Sequence, residues 1–372
     1  MAVVDLDKND EKALNIALNK ISGEWDSEKL SALLLELDLE GYFMAATGFQ
    51  KDELADLVIS FDHNEIDLEK ADEDIPPPPF VPFSREGDIW NIGQHRLVCG
   101  DSTKAATYTA LMQGETAQLI VTDPPYNVNY EGSAGKIQND NMDSASFRAF
   151  LFDMYNAAAA VTENGAAAYI FHADSEGVAF REEFQRAGFL LKQCLVWVKN
   201  SFVLGRQDYQ WRHEPILYGW KEGAAHYFTE QRNLSTVIDD SGRPDVDSMS
   251  REELAELLSL IYDEVDMVDT TVLYCDKPLR NAEHPTMKPT SLVARLIENS
   301  SREGWKVLDP FGGSGSTLIA AEATGRAAQL IELDPKFCDV IVRRYVKTTE
   351  KTDITLIRNG KEMPIEETGL LD

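Results

Sequence analysis

The spacing of apolar residues changes along the chain and predicts different elements in different parts. From about residue 85 onward, short apolar runs of strand length alternate with longer segments that carry apolar residues at i, i+3 and i+4. We predict a hairpin around Gly93-Gln94 and then the following elements: helices near 103–113, 144–161 and 176–187, and strands at TAQLIVT, AAAYIFHA, LLKQCLVWVKN and HEPILYG. Strands that alternate with helices are typical of a mostly parallel, doubly wound α/β sheet.

The first 84 residues have a different pattern. Helical spacing in EKALNIALNKISG and SEKLSALLLELD predicts helices before about residue 60. The ADEDIPPPPFVPF that follows interrupts this spacing, because consecutive prolines fix φ and favour an extended polyproline conformation. We predict a helical acidic segment at 1–70, a proline-rich linker at 71–84, a main domain at 85–350 and a C-terminal tail at 351–372. Binding to a proline-recognising domain is the alternative role for the linker.

Composition limits the class of protein. The chain has 372 residues, 43% of them hydrophobic, and no apolar run near 18 residues, so we expect no membrane-spanning helix. The N-terminus does not resemble a signal peptide, and we expect a cytoplasmic location. The four cysteines are scattered without a C-x-x-C pair or a histidine at ligand spacing. This favours buried thiols over a disulfide framework or a metal site.

The formal net charge of -29 is unusual for a protein that binds nucleic acid. About half of the excess negative charge lies in residues 1–80, and about a third lies in residues 239–270. Because the rest of the chain is only mildly acidic, a local basic cleft is compatible with the total. We therefore expect deletion of residues 1–80 to leave the salt dependence of any DNA binding nearly unchanged.

The stretch VTDPPYNVNY at 121–130 places polar chemistry at the end of a strand. TAQLIVT is predicted to be a short buried strand, and the two prolines after Asp123 cannot continue a strand ladder. In open α/β sheets, ligands bind where the strands end. We therefore expect DPPY to face a ligand, although DPP alone is also compatible with a structural turn.

The stretch VLDPFGGSGSTLIAAEATGRAAQLIELDP at 307–335 predicts one complete βαβ unit, with a helix that begins at Ser316. Its glycines leave room for a ligand against the backbone, and the helix start offers free N–H groups to a carboxylate or phosphate. Glu332, at the end of the second strand, can accept hydrogen bonds from both hydroxyls of a ribose. The loop lacks the GK[ST] of ATPase loops and the third glycine of G-x-G-x-x-G. Taken alone, it is also compatible with a structural turn.

Three motifs together resemble a known family. DPPY at 123–126, DPFGGSGST at 309–317 and HPTMKP at 284–289 are similar in type, order and spacing to those of the beta group of amino-methylating DNA methyltransferases. The resemblance covers about residues 86–347. It implies a circularly permuted Rossmann-like, S-adenosylmethionine-dependent methyltransferase sheet of about seven strands, with a small helical N-terminal appendage. It also implies a target-recognition region at about 200–283.

The resemblance assigns site residues motif by motif. It implies that Asp123, Pro124, Pro125 and Tyr126 contact the reacting base. It implies that S-adenosylmethionine is bound by the following residues: Asp309, Phe311, Gly312, Gly313, Ser314, Gly315, Ser316 and Thr317 of the loop, Glu332 at the ribose, Asp101 at the adenine, and Lys288 and Pro289 near the methionine end. A metal is not implied.

The implied reaction is methyl transfer to the exocyclic N6 of an adenine flipped out of duplex DNA. That amine is a poor nucleophile, because its lone pair is delocalised into the ring. Asp123 and the Pro124 carbonyl can each accept one of its N–H groups, which aims the lone pair at the methyl group. Tyr126 offers a stacking face. Cytosine N4 methylation stays open, although Asp at 123 favours adenine, and an inactive cofactor- and DNA-binding module is the alternative from another class.

The DNA-contacting residues are less clearly marked. The basic and aromatic stretch WVKNSFVLGRQDYQWRHEP contains four side chains that we expect to face phosphates or base edges: Lys199, Arg206, Arg212 and His213. His213 and Glu214 are equally compatible with packing. A capping box at Ser250 predicts a helix in the acidic insert. The N-terminal helices resemble, more weakly, the tail of ParB-like domains fused to such enzymes in phage and mobile-element proteins, and a homodimer stays open.

Overall fold

The chain divides into two compact units, residues 1–65 and residues 66–372. The computed structural model describes the following parts of the second unit: 66–129, 131–132, 135–136, 140–203, 208–229, 272–274 and 287–371. Three sequence predictions lie outside these residues, namely the N-terminal helices, the helix at Ser250 and the placement of Arg206. Within the described ranges, no helix is both long and apolar enough to cross a membrane.

The central feature is a mixed sheet of eleven strands. Its strands are β1 Ile89–Ile92, β2 His95–Cys99, β3 Ala117–Thr122, β6 Thr162–Phe171, β7 Phe189–Val203, β8 Trp211–Lys221, β9 Val272–Tyr274, β10 Lys306–Asp309, β11 Ala327–Glu332, β12 Ile354–Arg358 and β13 Lys361–Pro364. Two short strands, β4 Glu131–Gly132 and β5 Gly135–Lys136, form a separate hairpin. The predicted hairpin around Gly93-Gln94 is confirmed as the β1–β2 turn.

Seven neighbouring strands form the core of this sheet, in the order β2-β11-β10-β3-β6-β8-β7. The first five are parallel to one another, β8 runs antiparallel to β6, and β7 runs antiparallel to β8. The strands β10 and β11 come late in the chain, yet they lie between β2 and β3, which come early. This order confirms the predicted Rossmann-like methyltransferase sheet with circular permutation.

The edges of the sheet extend beyond the predicted seven strands. On one side, β12 pairs with β1 and β13 pairs with β12, and on the other side β9 pairs with β7. Residues 351–372 were expected to be a tail, and this prediction is wrong for most of the segment. Asn359 and Gly360 both have positive φ and close the β12–β13 hairpin, and Ile365 and Leu370 are buried against the core.

Helices cover both faces of the sheet. Those described are α1 Leu68–Glu73, α2 Ala105–Met112, α3 Ser144–Ala160, α4 Gly177–Arg186, α5 Thr290–Ser300, α6 Ser316–Ala323 and α7 Pro335–Thr349. Successive strand residues point to opposite faces, so Leu119 and Val121 pack with α5, α6 and α7, whereas Ile120 packs with α2, α3 and α4. Burial on both faces explains why the core strands are almost continuously apolar.

The segment before β1 differs from the prediction of a linker at 71–84. Residues 66–73 belong to the second unit, and α1 buries Ala71 and Asp72 against it. After α1 the chain has no regular structure until β1, but the backbone N–H groups of Phe83 and Ser84 donate to the buried Asp339 carboxylate of α7, at 2.6 and 2.9 Å. The boundary between the two units therefore lies before Ile66, and the proline-rich stretch is held at both ends.

Candidate active site

The DPPY motif and the glycine-rich motif both begin where two neighbouring strands end, at the same level of the sheet. β3 and β10 pair in parallel register, and the Thr122 hydroxyl at the end of β3 donates to Asp309 Oδ1 at the end of β10, at 2.7 Å. The next residue after β3 is Asp123, and the glycine loop, residues 310–315, follows β10. Because both motifs leave the carboxyl edge of the sheet, the geometry brings DPPY and the glycine loop together.

The glycine loop is built around two positive φ angles, 52° at Gly313 and 87° at Gly315. A Cβ on Gly315 would lie 3.3 Å from Ile341, so this glycine allows the close approach of α7. A Cβ on Gly313 would meet only the Phe311 carbonyl oxygen, at 3.8 Å, and would otherwise point into open space. Helix α6 begins at Ser316 without a side-chain cap. The loop therefore presents open backbone and a free helix start to a ligand.

Asp309 holds the loop rather than facing open space. Its carboxylate accepts hydrogen bonds from Thr122, from the Thr317 hydroxyl at 2.6 Å and from the Phe311 N–H at 3.0 Å, and the residue is 3% exposed. Burial raises the pKa of Asp309 to about 7, against these hydrogen bonds. The residue thus joins β3, β10 and α6 at one point.

Glu332 faces the glycine loop from the end of β11. Its Oε2 accepts the Gly313 N–H at 2.7 Å, and its Oε1 accepts the Asp334 N–H at 2.8 Å. Burial raises the pKa of Glu332 to about 7, and the two backbone hydrogen bonds oppose that shift. The residue is half-buried, and the Gly313 hydrogen bond places its carboxylate next to the glycine loop.

Asp101 and Phe311 complete this side of the site. The Gly100 N–H donates to the Glu332 carbonyl at 2.9 Å, which places Asp101 directly beside the end of β11. Asp101 Oδ1 accepts from the N–H and the hydroxyl of Thr103, while the side chain remains 38% exposed. Phe311 is half-buried, with its ring centroid 6.0 Å from that of Phe150. The sequence-predicted residues of the glycine loop, Glu332 and Asp101 therefore gather at one edge.

Five side chains from four parts of the chain form a strand-end cluster: Asp123, Tyr126, Lys199, Glu214 and Lys288. Asp123 Oδ2 lies 2.6 Å from Lys288 Nζ, and Asp123 Oδ1 accepts the Tyr126 hydroxyl at 2.6 Å. The Tyr126 oxygen also lies 3.1 Å from Glu214 Oε2, which is 3.2 Å from Lys288 Nζ. Lys199 Nζ donates to Glu214 Oε1.

The cluster pairs two carboxylates with two ammonium groups. Burial alone would raise the pKa of Glu214, but Lys288 and Lys199 overcome this effect and lower it to about 2. Burial raises the pKa of Asp123, and the Lys288 ammonium opposes that rise. Burial and the two carboxylates raise the pKa of Tyr126 well above its usual range. The cluster therefore holds Glu214 ionised and leaves Asp123 as the carboxylate whose charge is least firmly compensated.

Lys288, which we expect near the methionine end of the methyl donor, contacts both parts of the site. Its ammonium group lies against Asp123 and Glu214, and its carbonyl accepts the Ser316 hydroxyl at 3.0 Å. Pro289 follows and precedes α5. Lys288 is thus the residue that connects the strand-end cluster to the start of α6.

Glu214 is a site residue that sequence reasoning left undecided between packing and function. It lies near the start of β8. Because β8 runs antiparallel to β6, the start of β8 is at the carboxyl edge of the parallel strands. The only local signal for Glu214 was its position directly before the buried apolar run of HEPIL.

Three of the four residues expected at DNA are described, and they divide between two environments. Lys199 is 8% exposed and paired with Glu214, so it does not lie on an open surface. Arg212 and His213 are exposed at the start of β8, next to the exposed Trp211, although the Arg212 Nε donates to the Lys199 carbonyl at 3.0 Å. Arg206 lies outside the described residues.

A group of three or more His, Cys, Asp or Glu residues placed to hold a metal ion does not occur in the described part of the chain. Pro124 is buried and Pro125 half-buried, so the DPPY backbone is fixed against the sheet. The site therefore consists of a backbone-rich loop on one side and an ion-paired cluster on the other.

The sequence is similar to several known DNA methyltransferases. A family model described as DNA methylase, N6_N4_Mtase, matches residues 117–343. The DNA adenine methyltransferase YhdJ of Escherichia coli (strain K12) is 30% identical over 234 residues, which are 62% of this chain and 76% of that protein. The type II methyltransferase M.HpaI of Haemophilus parainfluenzae is 25% identical over 251 residues, 67% of this chain and 73% of that protein.

Among solved structures, the putative DNA modification methylase TTHA0409 of Thermus thermophilus, complexed with S-adenosyl-L-methionine, is 21% identical. It covers 68% of this chain and 94% of its own length with a TM-score of 0.46. Since this score is below 0.5, the fold assignment rests on the strand order given above.

Proposed function

This chain belongs to the DNA methylase family whose model matches residues 117–343, and we propose that it transfers a methyl group from S-adenosylmethionine to the N6 of an adenine flipped out of duplex DNA. The observation that carries the proposal is the Thr122–Asp309 hydrogen bond at 2.7 Å, which aligns the ends of β3 and β10. This alignment brings an acceptor for the base amine and a binding loop for the methyl donor to one edge. The beta-group type is proposed from the order of the motifs.

The glycine loop offers room and polar groups that suit S-adenosylmethionine. The open space above Gly313 leaves room for the ligand, and the half-buried Glu332 carboxylate borders it as an acceptor for ribose hydroxyls. Asp101, beside the end of β11, is the acceptor proposed for the adenine. Bound S-adenosylmethionine supplies an electrophilic methyl group. The other loop residues keep their proposed role in holding it, with Asp309 acting through Thr317 and Phe311.

In this proposal Asp123 accepts one N–H of the target amine, and the Pro124 carbonyl accepts the other. Asp123 Oδ1 already accepts the Tyr126 hydroxyl, so the target amine would share this oxygen with Tyr126 or replace it. Glu214 Oε2, 3.1 Å from the same hydroxyl, is the alternative acceptor. A shift of the Tyr126 hydrogen bond from Asp123 to Glu214 would free Oδ1 for the amine, and Oδ1 is then placed to receive the proton that the methylated nitrogen loses.

The remaining members of the strand-end cluster have positioning roles. Lys288 holds Asp123 through Oδ2 and thereby leaves Oδ1 to the base. The Lys288 ammonium group lies 5.3 Å from the centroid of the Tyr126 ring. The Tyr126 ring also packs edge-to-face with the Phe180 ring. The Tyr126 ring offers a stacking face, worth roughly 1–3 kcal/mol for an extruded base. Orientation and electrostatics, rather than covalent catalysis, supply the rate enhancement.

The proposed DNA contacts are Arg212 and His213, with Arg206 in the proposed target-recognition region at about 200–283. Their position at the start of β8 supports this role, because β8 begins at the carboxyl edge where the base must enter. Lys199 is proposed instead to hold Glu214.

Transfer of a tritiated methyl group from S-adenosylmethionine to genomic DNA, followed by nucleoside analysis, tests the proposal. We expect the label in N6-methyladenine, since an aspartate at 123 favours adenine. Label in N4-methylcytosine would refute the base assignment and keep the enzyme class. Cofactor binding without any transfer would favour an inactive binding module.

A further inference from the structure

Asp72 is a buried carboxylate in a helix that lies upstream of the matched family region. It is 2% exposed, in α1, and both of its oxygens are engaged. Oδ1 accepts Arg344 Nη2 at 2.8 Å and the Thr290 hydroxyl at 2.5 Å, and Oδ2 accepts the Thr290 N–H at 2.8 Å. A carboxylate with this many partners fixes the elements that supply them.

Arg344, the partner of Asp72, reaches the glycine loop. It lies on α7, is 1% exposed, and donates through Nη1 to the Ser314 carbonyl at 3.0 Å. The same Nη1 lies 3.3 Å from the Ser316 hydroxyl. Asp72 orients one side of the guanidinium, and the other side contacts the turn that leads into α6.

Thr290, the second partner, leads to the strand-end cluster. It follows Lys288 by two residues and starts α5, and Asp72 accepts both its N–H and its hydroxyl. The Ser316 hydroxyl donates to the Lys288 carbonyl at 3.0 Å, which closes the circuit from the loop back to the same segment. One carboxylate is therefore tied to the glycine loop through Arg344 and to Lys288 through Thr290.

We propose that Asp72 is a positioning residue for methyl transfer, which sets the glycine loop and the Lys288 segment relative to each other. The proposal rests on the proposed function, since it assigns cofactor binding to the loop and Asp123 positioning to Lys288. Asp72 lies well before residues 117–343, so in this proposal the catalytic unit begins upstream of the family match.

The proposal adds a cost to the deletion of residues 1–80, for which we expect a nearly unchanged salt dependence of DNA binding. Truncation after residue 80 would delete Asp72 and leave the Arg344 guanidinium buried without its carboxylate. An uncompensated buried charge is strongly unfavourable, so Arg344 would be expected to move and to carry the Ser314 carbonyl with it. A cut before Ile66 would leave this network in place.

The test uses the full chain with Asp72→Asn and a matched control, Asp339→Asn. Asp339 is also buried, lies on α7 and ties the segment before β1 to that helix, through Phe83 and Ser84. Both variants should lower the melting temperature. We expect only Asp72→Asn to weaken S-adenosylmethionine binding, by about tenfold in calorimetry, and to slow single-turnover transfer at saturating cofactor.

Weaker cofactor binding and slower transfer in Asp72→Asn, with only a lower melting temperature in Asp339→Asn, would identify a positioning role. If Asp72→Asn and Asp339→Asn weaken binding equally, or if neither changes it, the inference is refuted. If Asp72→Asn does not fold, Thr290→Val, which keeps the backbone N–H bond and removes only the hydroxyl, replaces it, with a loss of about threefold expected. No loss in that variant would refute the inference. Wild-type protein that binds no S-adenosylmethionine would refute the proposed function itself, which distinguishes the two failures.

Discussion

The carboxylates beside the glycine loop and Glu214 of the strand-end cluster lie in opposite electrostatic environments. Asp309 and Glu332 accept hydrogen bonds from backbone N–H groups and hydroxyls, and burial raises the pKa of each to about 7. In the strand-end cluster, Lys288 and Lys199 overcome burial and lower the pKa of Glu214 to about 2. The first region can therefore change its charge near neutral pH, whereas Glu214 in the second stays ionised.

These two environments correspond to two separate tasks along one sheet edge. A loop that must bind and release a ligand uses backbone groups and open space, with few fixed charges. A cluster that must orient a weak nucleophile uses fixed ion pairs, since preorganised dipoles need not rearrange during the reaction. Variants in the cluster should change the rate of transfer, and variants in the loop should change cofactor affinity.

The largest effect is expected from Asp123→Ala. Removing a positioned acceptor from the transition state should lower methyl transfer by at least about a hundredfold. S-adenosylmethionine binding should persist, because the glycine loop does not depend on Asp123 for a hydrogen bond among the described contacts. Steady-state transfer assays with calorimetry measure both quantities. Near-normal turnover would remove Asp123 from the mechanism.

Glu214→Gln should have the next largest effect. Two buried ammonium groups would lose part of their compensation, and the Tyr126 hydroxyl would lose its charged alternative acceptor. We expect transfer to fall by about ten- to a hundredfold with cofactor affinity nearly unchanged. The exposed Glu182, paired with Arg148, provides the control Glu182→Gln, for which we expect wild-type rates. Equal losses in both variants would contradict a role for Glu214.

Glu332→Gln should weaken S-adenosylmethionine binding by about tenfold and reduce its pH dependence, to which Asp309 also contributes. The pKa of Glu332 is raised to about 7, and ribose hydroxyls would donate to the ionised form. Binding to the wild type should therefore tighten as the pH rises from about 6 to about 8 and then level off, because deprotonation favours the complex. Calorimetry at several pH values measures this slope. A wild-type affinity that falls as the pH rises would contradict the ribose assignment.

The smallest effect is expected from Arg212→Gln, which tests DNA contact outside both regions. Loss of one phosphate contact should flatten the plot of log binding constant against log salt concentration by about one unit. Arg148→Gln, which removes an arginine paired with Glu182 and Glu183, is the control and should leave the slope unchanged. An unchanged slope for Arg212→Gln would show that Arg212 does not contact a phosphate.

Elements whose geometry is determined by neighbouring residues were predicted correctly from the sequence. The segment from Asp309 to Glu332 forms one βαβ unit, and its helix begins at Ser316 as predicted, because the turn and the capping position are local. The hairpin in residues 351–372 also had a local signal that was missed. Asn359-Gly360, flanked by ITLIR and KEMP, is a typical two-residue hairpin turn.

The strand-end cluster could not be predicted in the same way. Tyr126 and Glu214 are 88 residues apart in the chain, and they meet only because β3, β6 and β8 are neighbours in the sheet. Lys288, 165 residues from Asp123, reaches it from the segment that precedes α5. Asp72 lies among several acidic residues in the sequence, and nothing local distinguishes the one that is buried against Arg344. Contacts of this kind depend on tertiary packing, which short-range sequence patterns do not predict.

Single-turnover methyl transfer at saturating S-adenosylmethionine, with Asp123→Asn and Glu332→Gln compared at about pH 8, tests the division of the two tasks most directly. Saturation compensates for weak binding and cannot compensate for a misplaced nucleophile. We predict that Glu332→Gln recovers to within a few-fold of the wild type, whereas Asp123→Asn stays reduced by at least about tenfold. Recovery of Asp123→Asn at saturation, or an equal and persistent loss in both variants, would contradict the account.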